Sequence, residues 1–236
     1  GFSFTDDIPS GEAHDLSDEQ RQAVSDILSA KTKHARFHYV YGSTGSGKTE
    51  VFLRVAEDVL AQNKGVIYLV PEIGLTPQVI RAVRSRFGNT AAVLHSGLTQ
   101  SRKFSEWKRI LRKEARVVVG ARSAVFAPVP DLGLIIIDEE HDASYKSGTT
   151  PRYHARQVAM YRASRSAIPL VMGSATPSVE SWHLMNEGSL VRHTLTKRLA
   201  GGTMPEIVRI DLTKEKTDGC LSRSLANEIR TTLNLK

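Results

Sequence analysis

The sequence has 236 residues, and its 40% hydrophobic and 24% charged residues are ordinary for a soluble globular protein, which argues against a disordered or fibrous chain. A single cysteine, Cys220, excludes a disulfide framework and a zinc cluster built from this chain. No apolar run approaches the roughly 18 residues of a membrane span. The net charge of +7 favours polyanionic partners, and the cysteine usage is typical of a reducing cytoplasm.

The first elements are a polar segment and a helix. Residues 1–14 are rich in turn formers, and we predict that they form a linker from an upstream domain, in a chain cut from a longer protein. Ser17-Asp18-Glu19-Gln20 then opens a helix that we predict to end near Ala30. Gln20 has two interpretations: it completes a capping box with Ser17, or its amide reads an adenine edge.

The stretch from Phe37 to Glu50 predicts a strand, a glycine-rich turn and a helix that begins at Lys48 and ends near Gln62. It fits the P-loop pattern G-x-x-x-x-G-K-S/T. The glycines permit a tight turn with inward N–H groups, and the helix N-terminus that follows favours an anion. Lys48 can reach the outer phosphates, and the Thr49 hydroxyl can ligate Mg²⁺. The predicted nucleotide-binding residues here are Gly42, Ser43, Thr44, Gly45, Ser46, Gly47, Lys48 and Thr49.

Strand-like and helical stretches alternate over the rest of the first 199 residues. We predict strands over 66–70, 91–95, 116–120, 134–137 and 169–173. We predict helices over 75–87, 100–113, 151–163 and 177–186. This alternation predicts an α/β fold with a parallel sheet covered by helices on both faces, and with phosphate bound at the carboxyl ends of the strands.

The composition of the sequence changes after residue 199. The segment 200–206 has a glycine pair and a proline and predicts a hinge. We predict one more strand over 207–212 and one more helix over 222–233. The predicted organisation is therefore a linker over 1–14, an ATP-binding lobe over 15–199, and the hinge and truncated start of a second lobe over 200–236.

The apolar strand over 134–137 runs into Asp138-Glu139-Glu140-His141. A buried strand brings Asp138 to the carboxyl edge of the sheet beside the P-loop, where it can hold Mg²⁺ through water. Glu139 is then the natural general base for an attacking water. The alternative is a solvated acidic turn after a core strand. The predicted catalytic residues are Lys48, Asp138 and Glu139.

Gly173-Ser174-Ala175-Thr176-Pro177 follows the next apolar run. Ser174 and Thr176 can contact the acidic residues and transmit the state of the bound nucleotide to the rest of the lobe. Alternatively, the segment is an ordinary helix start with Thr176 as the cap and Pro177 in the first turn. The predicted coupling residues are Glu140, His141, Ser174 and Thr176.

The ordered set of segments resembles known helicase motifs. Residues 69–78 look like motif Ia, residues 119–126 like motif Ib, and residues 173–178 like the Ser-Ala-Thr motif of superfamily-2 helicases. Residues 138–146, followed by Arg-Tyr-His-Ala-Arg at 152–156, resemble one family more specifically. That family is the bacterial replication-restart DNA helicases, or primosomal protein N-prime. The resemblance runs from about Leu16 to the end of the chain.

This resemblance implies a RecA-like P-loop NTPase domain, the first motor lobe of an ATP-dependent 3′-to-5′ DNA helicase that reloads the replisome at abandoned forks. It implies ATP and Mg²⁺ as cofactors, and single-stranded and forked DNA, other primosome proteins and single-stranded-DNA-binding protein as partners. It implies a bacterial cytoplasmic, nucleoid-associated protein without a membrane partner. The full-length family protein also carries N-terminal DNA-binding domains, a zinc module and a second lobe with a catalytic arginine. We therefore expect this chain alone to be a weak or inactive ATPase.

The same resemblance marks candidate DNA contacts. They are Thr76 and Gln78 in motif Ia, Arg122 and Ser123 in motif Ib, and Tyr145 and Tyr153 around the loop after the acidic motif. The sequence departs from the family at Pro151, where a bulky aromatic residue is usual, and this weakens the expected DNA-sensing role of the loop because base stacking contributes about 1–3 kcal/mol per base. The alternative for both tyrosines is packing against the sheet.

Two other functions compete with a DNA helicase motor. One is a non-enzymatic, ATP-gated module that binds single-stranded DNA. The other is a small-molecule P-loop kinase, which would lack the acidic and Ser-Ala-Thr motifs and would need a lid. The response of nucleotide turnover to single-stranded DNA separates the three.

Overall fold

The structure is a computed structural model that describes residues 15–29, 37–72, 77–198, 207–215, 217–219 and 221–234. The predicted linker over 1–14, the hinge over 200–206 and Thr76 lie outside the described residues. The chain divides into two units, residues 1–200 and 201–236. No helix among the described residues is long and apolar enough to cross a membrane.

Seven strands in the described part of the first unit form one sheet in which every pair is parallel. The strands are β1 (Phe37–Gly42), β2 (Gly65–Leu69), β3 (Ala91–Leu94), β4 (Val117–Gly120), β5 (Leu132–Asp138), β6 (Leu170–Ser174) and β7 (Val191–Leu195). Their order is β3-β4-β2-β5-β6-β1-β7. The carboxyl ends of β1 and β5, on either side of β6, therefore open at the same edge.

Among the described residues of the first unit, six α-helices cover the two faces of this sheet. They are α1 (Asp18–Ser29), α2 (Lys48–Ala61), α3 (Pro77–Phe87), α4 (Gln100–Leu111), α5 (Ala155–Ser166) and α6 (Val179–Asn186). Residues of α1, α2 and α3 pack into one core and residues of α4, α5 and α6 into the other. On β5, Ile135 and Ile137 face the second core while Leu134 and Ile136 face the first, and all four are fully buried. Burial on both faces explains why this strand is continuously apolar, and the predicted parallel α/β sheet is confirmed.

Two helices of the first unit begin later than the sequence predicts. The helix predicted from residue 151 begins at Ala155, where His154 accepts the backbone N–H of Arg156 through Nδ1 at 3.2 Å. The helix predicted from residue 177 begins at Val179, because Ser178 is its cap. The alternative interpretation of Thr176 as the cap is therefore wrong.

Strand β7 has no counterpart among the predicted elements. It lies at the edge of the sheet beside β1, and its sequence alternates between buried and exposed positions, with Arg192 and Thr194 exposed. A short edge strand with polar alternate positions lacks the apolar run that marked the other strands. The missed strand matters, because Leu195 pairs with Gly42 at the start of the predicted P-loop.

The second unit differs from the sequence prediction in its strands. Residues 207–212 form no strand; Ile207 and Val208 are 82% and 73% exposed. Asp211 instead closes a local turn by accepting from the N–H and hydroxyl of Thr213, at 3.0 and 2.6 Å, a bonding that competes with strand pairing. A short hairpin of β8 (Thr217–Asp218) and β9 (Leu221–Ser222) precedes α7 (Arg223–Asn234), which confirms the predicted helix.

Candidate nucleotide-binding site

The turn between β1 and α2 has the backbone of a phosphate-binding loop. Gly45 and Gly47 have φ values of 81° and 84°, in the left-handed region that favours glycine. A side-chain carbon at Gly42 would lie 2.6 Å from Ser46 Oγ and 2.9 Å from the carbonyl oxygen of Leu195. The close packing of the loop against β7 therefore requires glycine at that position as well.

Two polar side chains of the loop point inward. Lys48 is only 7% exposed, and its ammonium group donates to the carbonyl oxygens of Gly42 at 2.9 Å and Ser43 at 3.2 Å. Ser46 Oγ is buried and has no hydrogen-bond partner within the described parts of the chain. A buried hydroxyl without a partner is costly, and an anion in the loop would supply one. The loop therefore fits a bound phosphate.

Gln20 contacts the loop from α1. Its Oε1 accepts from Ser17 N at 2.8 Å, its own backbone N–H donates to Ser17 Oγ at 3.3 Å, and its Nε2 donates to the carbonyl oxygen of Gly47 at 3.1 Å. The capping-box interpretation is confirmed. Gln20 is 1% exposed and its amide also supports the loop; adenine recognition stays a prediction.

Asp138 lies at the end of β5 and is held at three atoms. Tyr68 donates its hydroxyl to Oδ2 at 3.0 Å, the backbone N–H of Glu139 donates to Oδ1 at 2.9 Å, and the Tyr145 hydroxyl donates to the carbonyl oxygen at 2.6 Å. Burial, together with the negative charge of Glu139, raises the pKa of Asp138 to about 6. A divalent cation beside Asp138 would favour the ionised form of its carboxyl group.

Tyr68 holds Asp138 from the neighbouring strand β2, through the hydroxyl bond to Oδ2. Burial, reinforced by the charge of Asp138, raises the pKa of the phenol well above its ordinary value, so the phenol keeps its proton. A hydroxyl and a carboxylate are the hard oxygen ligands that Mg²⁺ prefers. The chemistry of Thr49 and Asp138, the residues predicted to hold the metal, therefore fits it.

Glu139 is held in an unusual backbone conformation next to the Ser-Ala-Thr segment. Its φ of 43° is left-handed, which is uncommon for a residue with a side chain. Its Oε2 accepts from Ser174 Oγ at 3.0 Å, and Ser174 Oγ lies 2.7 Å from Nδ1 of His141. The predicted contact of Ser174 with an acidic residue is confirmed. Thr176 is exposed, and it reaches this group only through its backbone N–H, which donates to Ser174 Oγ at 3.0 Å.

Glu140 turns away from the loop into the other core. Its carboxylate is ion-paired with Arg156, accepts from Ser178 Oγ at 2.9 Å and from Ser178 N at 3.3 Å, and accepts from the Tyr39 hydroxyl at 3.3 Å. Burial acts to raise the pKa of Glu140, but Arg156 and Ser178 outweigh it and hold the pKa below its ordinary value. Glu140 thereby joins the end of β5 to α5 and α6.

The candidate DNA contacts have different surroundings. Tyr145 is 1% exposed and belongs to the core, so the packing interpretation holds for it and base stacking does not fit this conformation. Arg122 donates to the carbonyl oxygens of Ser144 at 3.0 Å and Lys146 at 2.6 Å, which fixes the loop after the acidic motif.

The remaining candidates are nearer the surface. Tyr153 is half-buried, with its ring edge against Phe126 at a centroid distance of 4.9 Å and the Arg122 guanidinium 5.9 Å away. Ser123 is exposed. Gln78 lies in the first turn of α3, and its side chain is outside the described residues, as is all of Thr76.

Sequence reasoning missed two buried tyrosines, Tyr68 beside Asp138 in the site and Tyr39 beside Glu140 on the opposite face of the sheet. Both stand in strands that looked like ordinary core, and each donates a buried hydroxyl to a carboxylate of the acidic motif. A signal did exist, because a tyrosine on a buried strand needs a partner for its hydroxyl. Side chains alternate between the two faces along β2 and along β5. That alternation places Tyr68 on the same face as Asp138 only once the pairing of the two strands is known, and the sequence does not give the pairing.

Known proteins resemble this chain over most of its length. The family model for the DEAD/DEAH box helicases matches residues 13–184. The chain is 58% identical over 217 residues to the replication restart protein PriA of Treponema pallidum, covering 92% of this chain and 32% of that protein. It is 46% identical over 220 residues to PriA of Bacillus subtilis, covering 92% and 26%. The chain thus spans about a third or less of these curated relatives, and they confirm the resemblance found in the sequence.

Solved structures show the same fold at low identity. RecG bound to a three-way DNA junction matches with a TM-score of 0.57 at 22% identity, over 81% of this chain and 25% of that one. The Hef helicase domain of Pyrococcus furiosus matches with a TM-score of 0.54 at 19% identity, over 75% and 37%. The RecA-like α/β fold is confirmed. With a helicase family model matched across most of its length, this chain belongs to the DEAD/DEAH box helicase family.

Proposed function

We propose that this chain is the ATP-binding first motor lobe of an ATP-dependent 3′-to-5′ DNA helicase that acts in replication restart. The observation that carries the proposal is that the P-loop and the acidic motif leave the same edge of the sheet, at the carboxyl ends of β1 and β5 on either side of β6. The identity of 58% to a replication restart protein supports the biological setting. On this proposal residues 15–199 are the motor lobe and residues 200–236 the hinge and the start of a second lobe.

The P-loop residues Gly42 to Thr49 bind the phosphates of ATP. Lys48 leaves the loop carbonyls and places its charge on the outer phosphates, and Ser46 gains a partner for its hydroxyl. Thr49 and Asp138 hold Mg²⁺, which when bound neutralises charge on the phosphate oxygens. Gln20 steadies the loop at the Gly47 carbonyl and is also proposed to read the adenine.

Glu139 is the proposed general base. Its left-handed backbone turns the side chain out of the core, and the side chain remains 40% exposed, within reach of water. Ser174 donates to one carboxylate oxygen at 3.0 Å and leaves the other for an attacking water. Glu140, His141, Ser174 and Thr176 then couple the nucleotide state to α5 and α6.

DNA binds, on this proposal, at the motif Ia and Ib segments and at the loop after the acidic motif. The cluster of Arg122, Phe126 and Tyr153 offers a cation and a partly exposed aromatic surface, which suit single-stranded or forked DNA held without sequence preference. Ser123, Thr76 and Gln78 are the proposed phosphate contacts. For the whole protein we propose primosome proteins and single-stranded-DNA-binding protein as partners, a zinc module outside this chain, and a place at the bacterial nucleoid.

The test is phosphate release from ATP by a longer protein that contains both lobes, with and without single-stranded, forked and duplex DNA. We expect DNA to stimulate turnover and Glu139→Gln to abolish the stimulation while ATP still binds. Glu114→Gln, an exposed carboxylate on the loop after α4, is the matched control and should behave as the parent. DNA binding without turnover would favour an ATP-gated binding module, and turnover that ignores DNA would favour a kinase.

A further inference from the structure

The hydroxyl of Tyr68 donates to Asp138, one of the two residues proposed to hold Mg²⁺, at 3.0 Å from Oδ2. The strand register produces this arrangement: Tyr68 pairs with Ile136 of β5, so Tyr68 and Asp138 share the sheet face that packs against α2. Thr49, the other residue proposed to hold the metal, is the second residue of α2.

The chemistry of the groups fixes the direction of this hydrogen bond. An ionised carboxylate only accepts, so the Tyr68 proton goes to Oδ2 of Asp138. The other carboxylate oxygen, Oδ1, accepts from the backbone N–H of Glu139 at 2.9 Å. Each carboxylate oxygen therefore has one donor and keeps a further lone pair for a metal ion.

We infer that Tyr68 is a positioning residue for the metal site: its hydroxyl fixes the orientation in which the Asp138 carboxylate offers its free lone pairs to a cation. This inference rests on the proposed function, because it assumes that ATP binds at the P-loop with Mg²⁺. It adds to that function a residue on a different strand that touches neither nucleotide nor metal and sets how well the Asp138 ligand is prepared.

Packing alone does not account for a tyrosine here. The ring is fully buried, with its edge against Phe52 at a centroid distance of 6.1 Å, a contact that phenylalanine would make equally well. The hydroxyl is what differs, and it is costly to bury without partners. Tyr39 is the useful comparison, because it donates an equally buried hydroxyl to a carboxylate, that of Glu140, on the opposite face of the sheet.

The experiment uses Tyr68→Phe, which keeps the ring and removes the hydroxyl, and Tyr39→Phe as the matched control. The affinity for ATP is measured by calorimetry in excess Mg²⁺ and again in EDTA, at pH 8, where Asp138 is ionised in the parent. Tyr68→Phe should reduce the tightening of ATP by Mg²⁺ about tenfold, the range for a hydrogen bond to a charged group. Its affinity in EDTA should stay that of the parent, and Tyr39→Phe should retain the full magnesium effect.

Each outcome separates this inference from the proposed function. If the parent tightens with Mg²⁺ and Tyr68→Phe tightens equally, the positioning role is refuted while the nucleotide site stands. If Tyr68→Phe loses affinity equally in Mg²⁺ and in EDTA, Tyr68 supports the loop rather than the metal ligands, and the inference is again refuted. If the parent binds no ATP under either condition, the proposed nucleotide site fails and the inference fails with it.

A second measurement on the unaltered chain covers the case in which Tyr68→Phe does not fold. Protein carrying ¹³C at the tyrosine Cζ is examined by NMR with ADP in EDTA and with ADP and Mg²⁺. The Tyr68 signal should move only when the metal is added, because its hydrogen-bond partner Asp138 then becomes a metal ligand, and the Tyr39 signal should not move. A Tyr68 signal that ignores the metal would overturn the inference.

Discussion

The buried ion pair of Glu140 and Arg156 yields a prediction whose size follows from the structure. The Glu140 side chain is fully buried and that of Arg156 is 11% exposed. If one partner is removed, water can therefore replace little of the interaction that the other has lost. Arg156→Met keeps the length of the side chain and removes the charge. Breaking a buried pair by removing one partner costs about 3–5 kcal/mol, which for a unit of this size lowers Tm by roughly 6–20 °C.

The loss of folding stability in Arg156→Met should depend on pH, and the surroundings of Glu140 determine the direction of that dependence. In the parent the pKa of Glu140 is held below its ordinary value, so its stabilising contribution is present above that value and is lost as the pH falls through the folded pKa. Without Arg156, burial instead raises the pKa of Glu140, and the protein then gains relative stability by protonating it. The deficit of Arg156→Met should therefore be full at pH 7 and shrink towards pH 4.

The assay is urea unfolding at pH 7 and pH 4.5, followed by circular dichroism. Arg165→Met, an exposed position in the last turn of the same helix, should change the free energy of unfolding by less than about 0.5 kcal/mol. Combining Arg156→Met with Glu140→Gln should cost less than the sum of the two changes. A deficit under about 1 kcal/mol, or the same deficit at both pH values, would refute the account of the pair.

Three other substitutions test the loop and the base. Lys48→Ala should weaken the binding of ATP–Mg²⁺ by about a hundredfold in calorimetry, since a charge-assisted contact to phosphate is lost; an unchanged affinity would contradict the P-loop assignment. Glu139→Gln, in a protein with both lobes, should bind ATP within about threefold of the parent while single-turnover cleavage falls by about 10²–10⁴, and normal cleavage would place the base elsewhere. Gly42→Ala should cost about 1–3 kcal/mol in thermal unfolding because the new carbon would lie 2.6 Å from Ser46 Oγ, whereas Gly148→Ala, with nothing within 4 Å, should cost nothing measurable.

The sequence predicted most of the site because its key residues follow strong local patterns. The P-loop needs glycine at fixed spacings, and Asp138 ends a strand whose residues are apolar without interruption. Both patterns can be seen without knowing which strands are neighbours. The capping box of Ser17 and Gln20 is equally local, and it is present in the structure.

What the sequence did not predict depends on contacts between distant segments. Tyr145 was a candidate for DNA stacking because aromatic residues near that loop suit such a role, yet its hydroxyl is needed at the carbonyl oxygen of Asp138. Packing decides the direction in which a loop side chain points, and no local sequence pattern predicts that packing. The strand predicted over 207–212 failed for a related reason: its apolar residues have no partner strand among the described residues, and an aspartate turn competes locally.

The position of β1 in the sheet has a consequence for how the protein is made. Phe37 pairs with Leu170 and His38 with Val191, so both neighbours of the P-loop strand are synthesised more than half a chain length after it. Until β6 and β7 have left the ribosome, β1 has an unpaired edge on each side, and such non-local pairing is slow to form. The P-loop is thus translated before the two strands that enclose β1. Retention of an emerging chain on immobilised ATP would therefore mark the moment at which the sheet is complete.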